Sequence, residues 1–204
     1  MSVSMLLLTV VAVLIYFGLL ERVLDRMRLS DRAALTIVIL MFIGTLLPNI
    51  TLGKVSVSLG GAIIPLAMCI YMLIKAKSAK TVLRSVIGSA LTAVIVWGMG
   101  VLLPDEPEAM LIDINLLYGL AGGVVAYLLG RSRRGAFICG VAGVIIADII
   151  TACINWSQGV AQQLVLGGAG MADTAVISGV IAVLLAELVG ELRERMARRK
   201  EGKA

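Results

Sequence analysis

Four acidic residues, Asp113, Asp148, Asp173 and Glu187, stand inside stretches that are otherwise apolar. An ionisable side chain at membrane depth costs about 2.5–3.5 kcal/mol even on lenient scales, so each is a candidate functional group. The chain has no histidine, which excludes imidazole metal sites and Ser-His or Cys-His catalysis. Carboxylate chemistry remains. Two aspartates held together can share one proton, one acting as base on water and the other as acid on a peptide carbonyl. The same pair, helped by Asn and Thr oxygens, can hold a hard cation or relay protons.

The helices that must carry these residues fix their depth, at a rise of about 1.5 Å per residue. A fifth span entering from outside near Ala109 puts Asp113 about 6 Å in. A sixth leaving the inside near Ala136 puts Asp148 about 18 Å along, in the outer half. Asp173 opens the seventh, and Glu187 lies about 21 Å beyond it near the inner interface. No Lys or Arg is expected at comparable depth to pair with them. Glu187 reads as a snorkelling end residue. Asp148, Thr151 and Asn155, at i, i+3 and i+7, share one face of the sixth helix. Gly167-Gly168-Ala169-Gly170-Met171-Ala172-Asp173 frees the backbone for a tight turn, with a carboxylate at the positive end of the helix dipole. Asp148 and Asp173 are therefore the candidate catalytic pair, with Asp113, Thr151, Asn155, Gly168 and Gly170 as auxiliary binding positions. The plainer account of Asp173 is an N-capping acid. The plainer account of the small-residue stripes (Ala136, Gly140, Gly143, Ala147; Gly119, Gly122, Gly123, Ala126) is close helix packing.

Composition requires a membrane around these residues. Of 204 residues 60% are hydrophobic and 15% charged, with strongly positive mean hydropathy, against about 45–50% and 25% in soluble domains. Apolar runs at about 2–20, 33–49, 59–74, 82–103, 109–130, 136–155 and 172–190 predict an all-α, polytopic protein of seven spans. Pro48, Gly60-Gly61 and Pro65 predict a broken or re-entrant segment near 48–65, and Val55-Ser56-Val57-Ser58 alternates as an extended piece does. The stretch 157–171, which bears glutamine and glycine, is expected to dip into the membrane. Seventeen of the eighteen Lys and Arg fall on alternate sides of this path, Lys54 being the exception. The positive-inside rule then sets the N-terminus outside and the C-terminus in the cytoplasm, in an inner membrane. Residues 1–190 form one transmembrane domain and 191–204 a basic tail that continues the last helix, attracted to anionic lipid. Cys69, Cys139 and Cys153 read as buried free thiols. With no Walker-type loop, dinucleotide fingerprint or basic stretch with interleaved aromatics, neither a cofactor, a metal nor a nucleic acid is expected. The expected partners are the bilayer and a membrane-embedded peptide or small cation.

Two resemblances follow. Ser58-Leu59-Gly60-Gly61-Ala62-Ile63-Ile64-Pro65-Leu66, with Gly167 to Asp173 and Ser178-Gly179-Val180-Ile181-Ala182, resembles an uncharacterised family of prokaryotic multi-pass membrane proteins, which brings no activity. Gly170-Met171-Ala172-Asp173 is similar to the Gly-x-Gly-Asp motif of the signal-peptide-peptidase and presenilin class of intramembrane aspartyl proteases. That class also runs this helix pair from inside to outside and back. The second resemblance implies that Asp148 and Asp173 are the catalytic pair, although Ala172 replaces the second glycine and Ala147 stands where a tyrosine precedes the first aspartate. Three classes stay open: an aspartyl intramembrane protease, an ion- or proton-coupled transporter, and a non-catalytic scaffold. The protease is the sharpest of them.

Overall fold

A computed structural model describes residues 31–76, 78–102, 114–130, 132–170 and 173–201. The expected first span at 2–20 and Asp113 lie outside the described residues. Six helices, α1 (Asp31–Leu46), α2 (Ile64–Ile74), α3 (Ala79–Leu102), α4 (Ile114–Gly130), α5 (Arg133–Ser157) and α6 (Thr174–Glu201), are described, with strands β1 (Ile50–Leu52), β2 (Val55–Val57) and β3 (Leu164–Leu166). A π-helical turn, Leu59–Ile63, runs directly into α2. The last helix continues through the predicted tail as far as Glu201.

Three of the helices are long and apolar enough to cross a membrane: Ala79–Leu102, Arg133–Ser157 and Thr174–Met196. Shorter apolar helices occupy Thr36–Leu46, Leu59–Ile74 and Leu117–Gly130. The outward faces are apolar too, with Leu83, Val86, Ile87 and Val94 of α3 all exposed. In water such a surface would be an aggregation liability; in lipid it is the ordinary solvent-facing side.

Helices α3, α4, α5 and α6 form the core bundle, with α5 the most enclosed. Its crossings are set by missing side chains. A Cβ on Gly140 of α5 would stand 2.8 Å from the Gly179 nitrogen of α6, and one on Gly143 would stand 2.7 Å from the Thr92 side chain of α3. Gly119, Gly122 and Gly123 of α4 lie in the same way against Ile177, Ser178 and Ile181 of α6. The small-residue stripes thus do what packing requires, letting backbones approach where lipid supplies no hydrophobic drive between helices.

The expected break near 48–65 is a hairpin followed by the π turn. Helix α1 stops at Leu46, ahead of Pro48, whose ring disfavours helical geometry in the residue before it. Gly53 (φ +61°) opens a two-residue turn joining β1 to β2, which pair antiparallel from Ile50↔Val57 to Leu52↔Val55. β2 then pairs parallel with β3, from Val55↔Leu164 to Val57↔Leu166. The alternation expected at 55–58 is present, but its buried members are Ser56 and Ser58. The stretch 157–171 therefore carries a strand rather than only a flexible turn. α1, and the π turn with α2, span about 24 Å each, short of a bilayer core of about 30 Å. The paired strands let extended backbone make up the difference with its polar groups satisfied.

The other end is tied by side chains. Arg84 donates to the Leu129 carbonyl at 3.0 Å, and Ser132 caps α5 by accepting from the Gly135 N–H at 3.1 Å. Arg133 forms an ion pair with Glu187 across α5 and α6. This corrects the expectation that no cation reaches the deep acids: an arginine in the first turn of α5 is long enough to extend along the bundle to its neighbour. Cysteine placement needs a correction as well. Cys69 and Cys139 are buried, but Cys153 is exposed on the outward face of α5, where the surrounding solvent is apolar.

Candidate functional site

Chain geometry at the end opposite the basic residues comes from a motif used twice. Leu59-Gly60-Gly61-Ala62 leads from β2 into α2, and Leu166-Gly167-Gly168-Ala169 leads from β3 towards α6. Each follows the sequence helix, strand, glycine turn, returning helix. The two turns press backbone on backbone. A Cβ on Gly61 would lie 2.7 Å from the Gly170 carbonyl oxygen, and one on Gly44 of α1 would lie 2.8 Å from the Gly60 nitrogen. Gly167 and Gly170 adopt φ +69° and +61°, the left-handed region that only glycine enters freely. Thr45, whose hydroxyl donates to the Met41 carbonyl at 2.8 Å, fills the space where side chains on Gly60 and Gly170 would otherwise stand. Ser58 caps the π turn through its hydroxyl, and its own N–H donates to the Leu166 carbonyl at 2.9 Å.

Asp173 is held by this turn. Its N–H donates to the Gly170 carbonyl at 3.0 Å, and its carbonyl accepts the first helical bond from Ile177 at 3.0 Å. One carboxylate oxygen accepts from the Ala175 N–H at 3.1 Å. That is N-cap geometry, as the plainer account of the sequence expects. Asp148 stands on α5, partly buried, within electrostatic range of Asp173. No hydrogen bond or ion pair engages Asp148 among the described residues. One carboxylate is therefore anchored by peptide dipoles and the other is held only by its helix.

The auxiliary positions divide. Gly170 is buried at the crossing, whereas Gly168 is exposed and its missing side chain faces Val165. Thr151 is exposed and donates to the Ala147 carbonyl at 2.9 Å. Asn155 is bonded through its amide to the Gln162 side chain, beside the Trp156 indole that donates to the Gln162 carbonyl at 2.7 Å. Those two contacts fasten the end of α5 to the stretch leading into β3. Glu187, paired with Arg133, sits at the other end of the bundle. No cluster of three or more metal-ligating side chains occurs among the described residues.

Sequence reasoning missed the repeated Leu-Gly-Gly-Ala and the π turn. The first signal is visible in the chain, since each double glycine follows a leucine and precedes an alanine, just after a short stretch that holds valine. A π turn is rare, and such turns concentrate at functional positions.

The chain belongs to the YphA-like integral membrane protein family, whose model matches residues 23–203. No curated protein and no solved structure matches it. Membership establishes an integral membrane protein with several apolar helices, and carries no reaction with it.

Proposed function

We propose that this protein is a proton-coupled carrier of the inner membrane, with Asp148 and Asp173 as its coupling site. The observation that carries the reading is the unequal pair: Asp173 is fixed by the Ala175 N–H, while the Asp148 carboxylate, within electrostatic range, has no bonded partner among the described residues. Two carboxylates at that range in an apolar setting resist double ionisation, so a single proton serves both. Asp173 is committed to its cap, which leaves Asp148 as the carboxylate proposed to exchange the proton. The setting supports transport. Paired glycine-interrupted segments at corresponding places in two similarly built hairpins mark the substrate site in many carriers. Here they meet directly behind Asp173.

The aspartyl protease remains the second reading, favoured by the glycine-led Asp173 and by the opposed directions of α5 and α6. Its chemistry requires both carboxylates on one water at once. The same variants test both. Protein reconstituted in liposomes is expected to dissipate an imposed pH gradient, and Asp148→Asn to abolish that flux while inserting normally. Cleavage of a membrane-spanning peptide, lost in Asp148→Asn and in Asp173→Asn alike, would select the protease instead. Absence of any flux, cleavage or stabilisation by Na⁺, K⁺ or Ca²⁺ that depends on Asp148 would leave the scaffold.

A further inference from the structure

At the basic end of the bundle, away from the aspartates, α2, α3, α5 and α6 border an open cavity of about 560 Å³. That volume lies within the roughly 300–1,000 Å³ of small-molecule sites. Its polar lining comes from the beginnings of two helices: Ser78, Thr81 and Ser85 around the start of α3, and Ser132, Arg133 and Arg134 around the start of α5. Among the described residues the lining holds two arginines and no acid. Glu187 adjoins it by pairing with Arg133. Exposure falls with depth. Ser78 and Ser132 are exposed at the mouth and the arginines are partly buried in the wall. Ser85, Met72 and Ile138 are buried within.

Arginine, hydroxyl donors and two helix starts lining one space are the chemistry that recognises phosphate, and with Arg133 paired to Glu187 the arginine for it is Arg134. An apolar interior directly behind them suits an acyl or glycerol portion rather than a fully hydrated ion. We propose that this cavity binds a phosphate-bearing group, a chemistry shared by an anionic phospholipid and free phosphate, with the phospholipid as the source its apolar interior selects. This site is independent of the aspartate pair and of the carrier reading.

The experiment uses the full chain, purified in detergent and delipidated. Binding of phosphatidylglycerol, of diacylglycerol (the same chains without phosphate) and of inorganic phosphate is measured by native mass spectrometry and by the midpoint of thermal unfolding. Phosphatidylglycerol is expected to bind roughly tenfold more tightly than diacylglycerol, and Arg134→Gln to remove that advantage. Lys75→Gln, which takes an exposed charge from the same end outside the cavity, is expected to leave it intact. Stabilisation by inorganic phosphate alone, lost in Arg134→Gln, would support the same site with free phosphate as the source. Equal binding of phosphatidylglycerol and diacylglycerol, with no effect of phosphate, overturns the proposal. So does a loss in Lys75→Gln as large as in Arg134→Gln, because diffuse charge then accounts for the binding. Should Arg134→Gln not fold, Thr81→Val with Ser85→Ala removes two lining hydroxyls and no charge. Unchanged phosphatidylglycerol binding in that variant also overturns the site.

Discussion

Asp148 and Asp173 carry the same functional group and should answer substitution in opposite ways. Asp173 caps α6 through the Ala175 N–H, so Asp173→Ala is expected to lower unfolding stability by about 1 kcal/mol. Among the described residues the Asp148 carboxylate has no bonded partner to lose, so Asp148→Asn should leave stability unchanged or raise it, since it removes a charge from an apolar setting. Denaturant titration of the purified variants in detergent reads both; a destabilised Asp148→Asn would mean that its carboxylate is bonded after all. The Arg133–Glu187 pair, with both side chains at least four-fifths buried, supplies a second contrast. Arg133→Gln or Glu187→Gln alone is expected to cost about 3 kcal/mol by leaving a buried charge unmatched, and the double variant clearly less than the sum. Strict additivity in that cycle would show the two side chains to be uncoupled. The acids were legible in the sequence because a carboxylate within an apolar run is conspicuous. The pairing of Glu187 was not, because the reach of an arginine in a helix's first turn depends on which helix lies beside it.

Among elements, hydropathy located the helices from α1 to α6 to within a few residues, since each must offer lipid or its neighbours a long apolar run. The sheet was only half legible. Alternation at 55–58 marked β2, but Leu164-Val165-Leu166 is three residues long and becomes a strand only because β2 lies alongside it. Pairing between segments over a hundred residues apart leaves no local signature. The glycine crossing gives this layer a test. Gly170→Ala places a side chain in left-handed backbone against Thr45, and Gly61→Ala drives a Cβ towards the Gly170 carbonyl. Each is expected to cost about 1–3 kcal/mol. Gly98 has nothing within 4 Å of its would-be Cβ, so Gly98→Ala should be neutral or stabilise α3 by up to about 1 kcal/mol. Thermal unfolding of the three variants separates a close backbone approach from a general intolerance of alanine. If all three behave alike, the crossing is looser than its geometry indicates.

For the whole molecule the sheet and the charges constrain topology independently. β2 and β3 pair directly, so the connection from α1 to α2 and that from α5 to α6 lie at one end, whichever side of the membrane that end faces. The cavity joins the close of α2 with the starts of α3 and α5, and Arg84 bonds to Leu129 near the close of α4. Those segments therefore lie together at the opposite end. Only the side remains for the charge bias to assign, and Lys75, Lys80, Arg84, Arg133 and Arg134 gather at the cavity end. A basic cluster is retained in the cytoplasm because positively charged loops resist translocation. Reporters fused after Asn49 and after Gln163 should accordingly give the same external signal, and those after Lys77 and Arg133 a cytoplasmic one. The two halves of this prediction fail separately. Opposite signals from Asn49 and Gln163 would contradict the β2–β3 pairing itself. Matched but cytoplasmic signals from both would keep the fold and turn the molecule over in the membrane, moving the aspartates to the inner half and the phosphate cavity to the outer face.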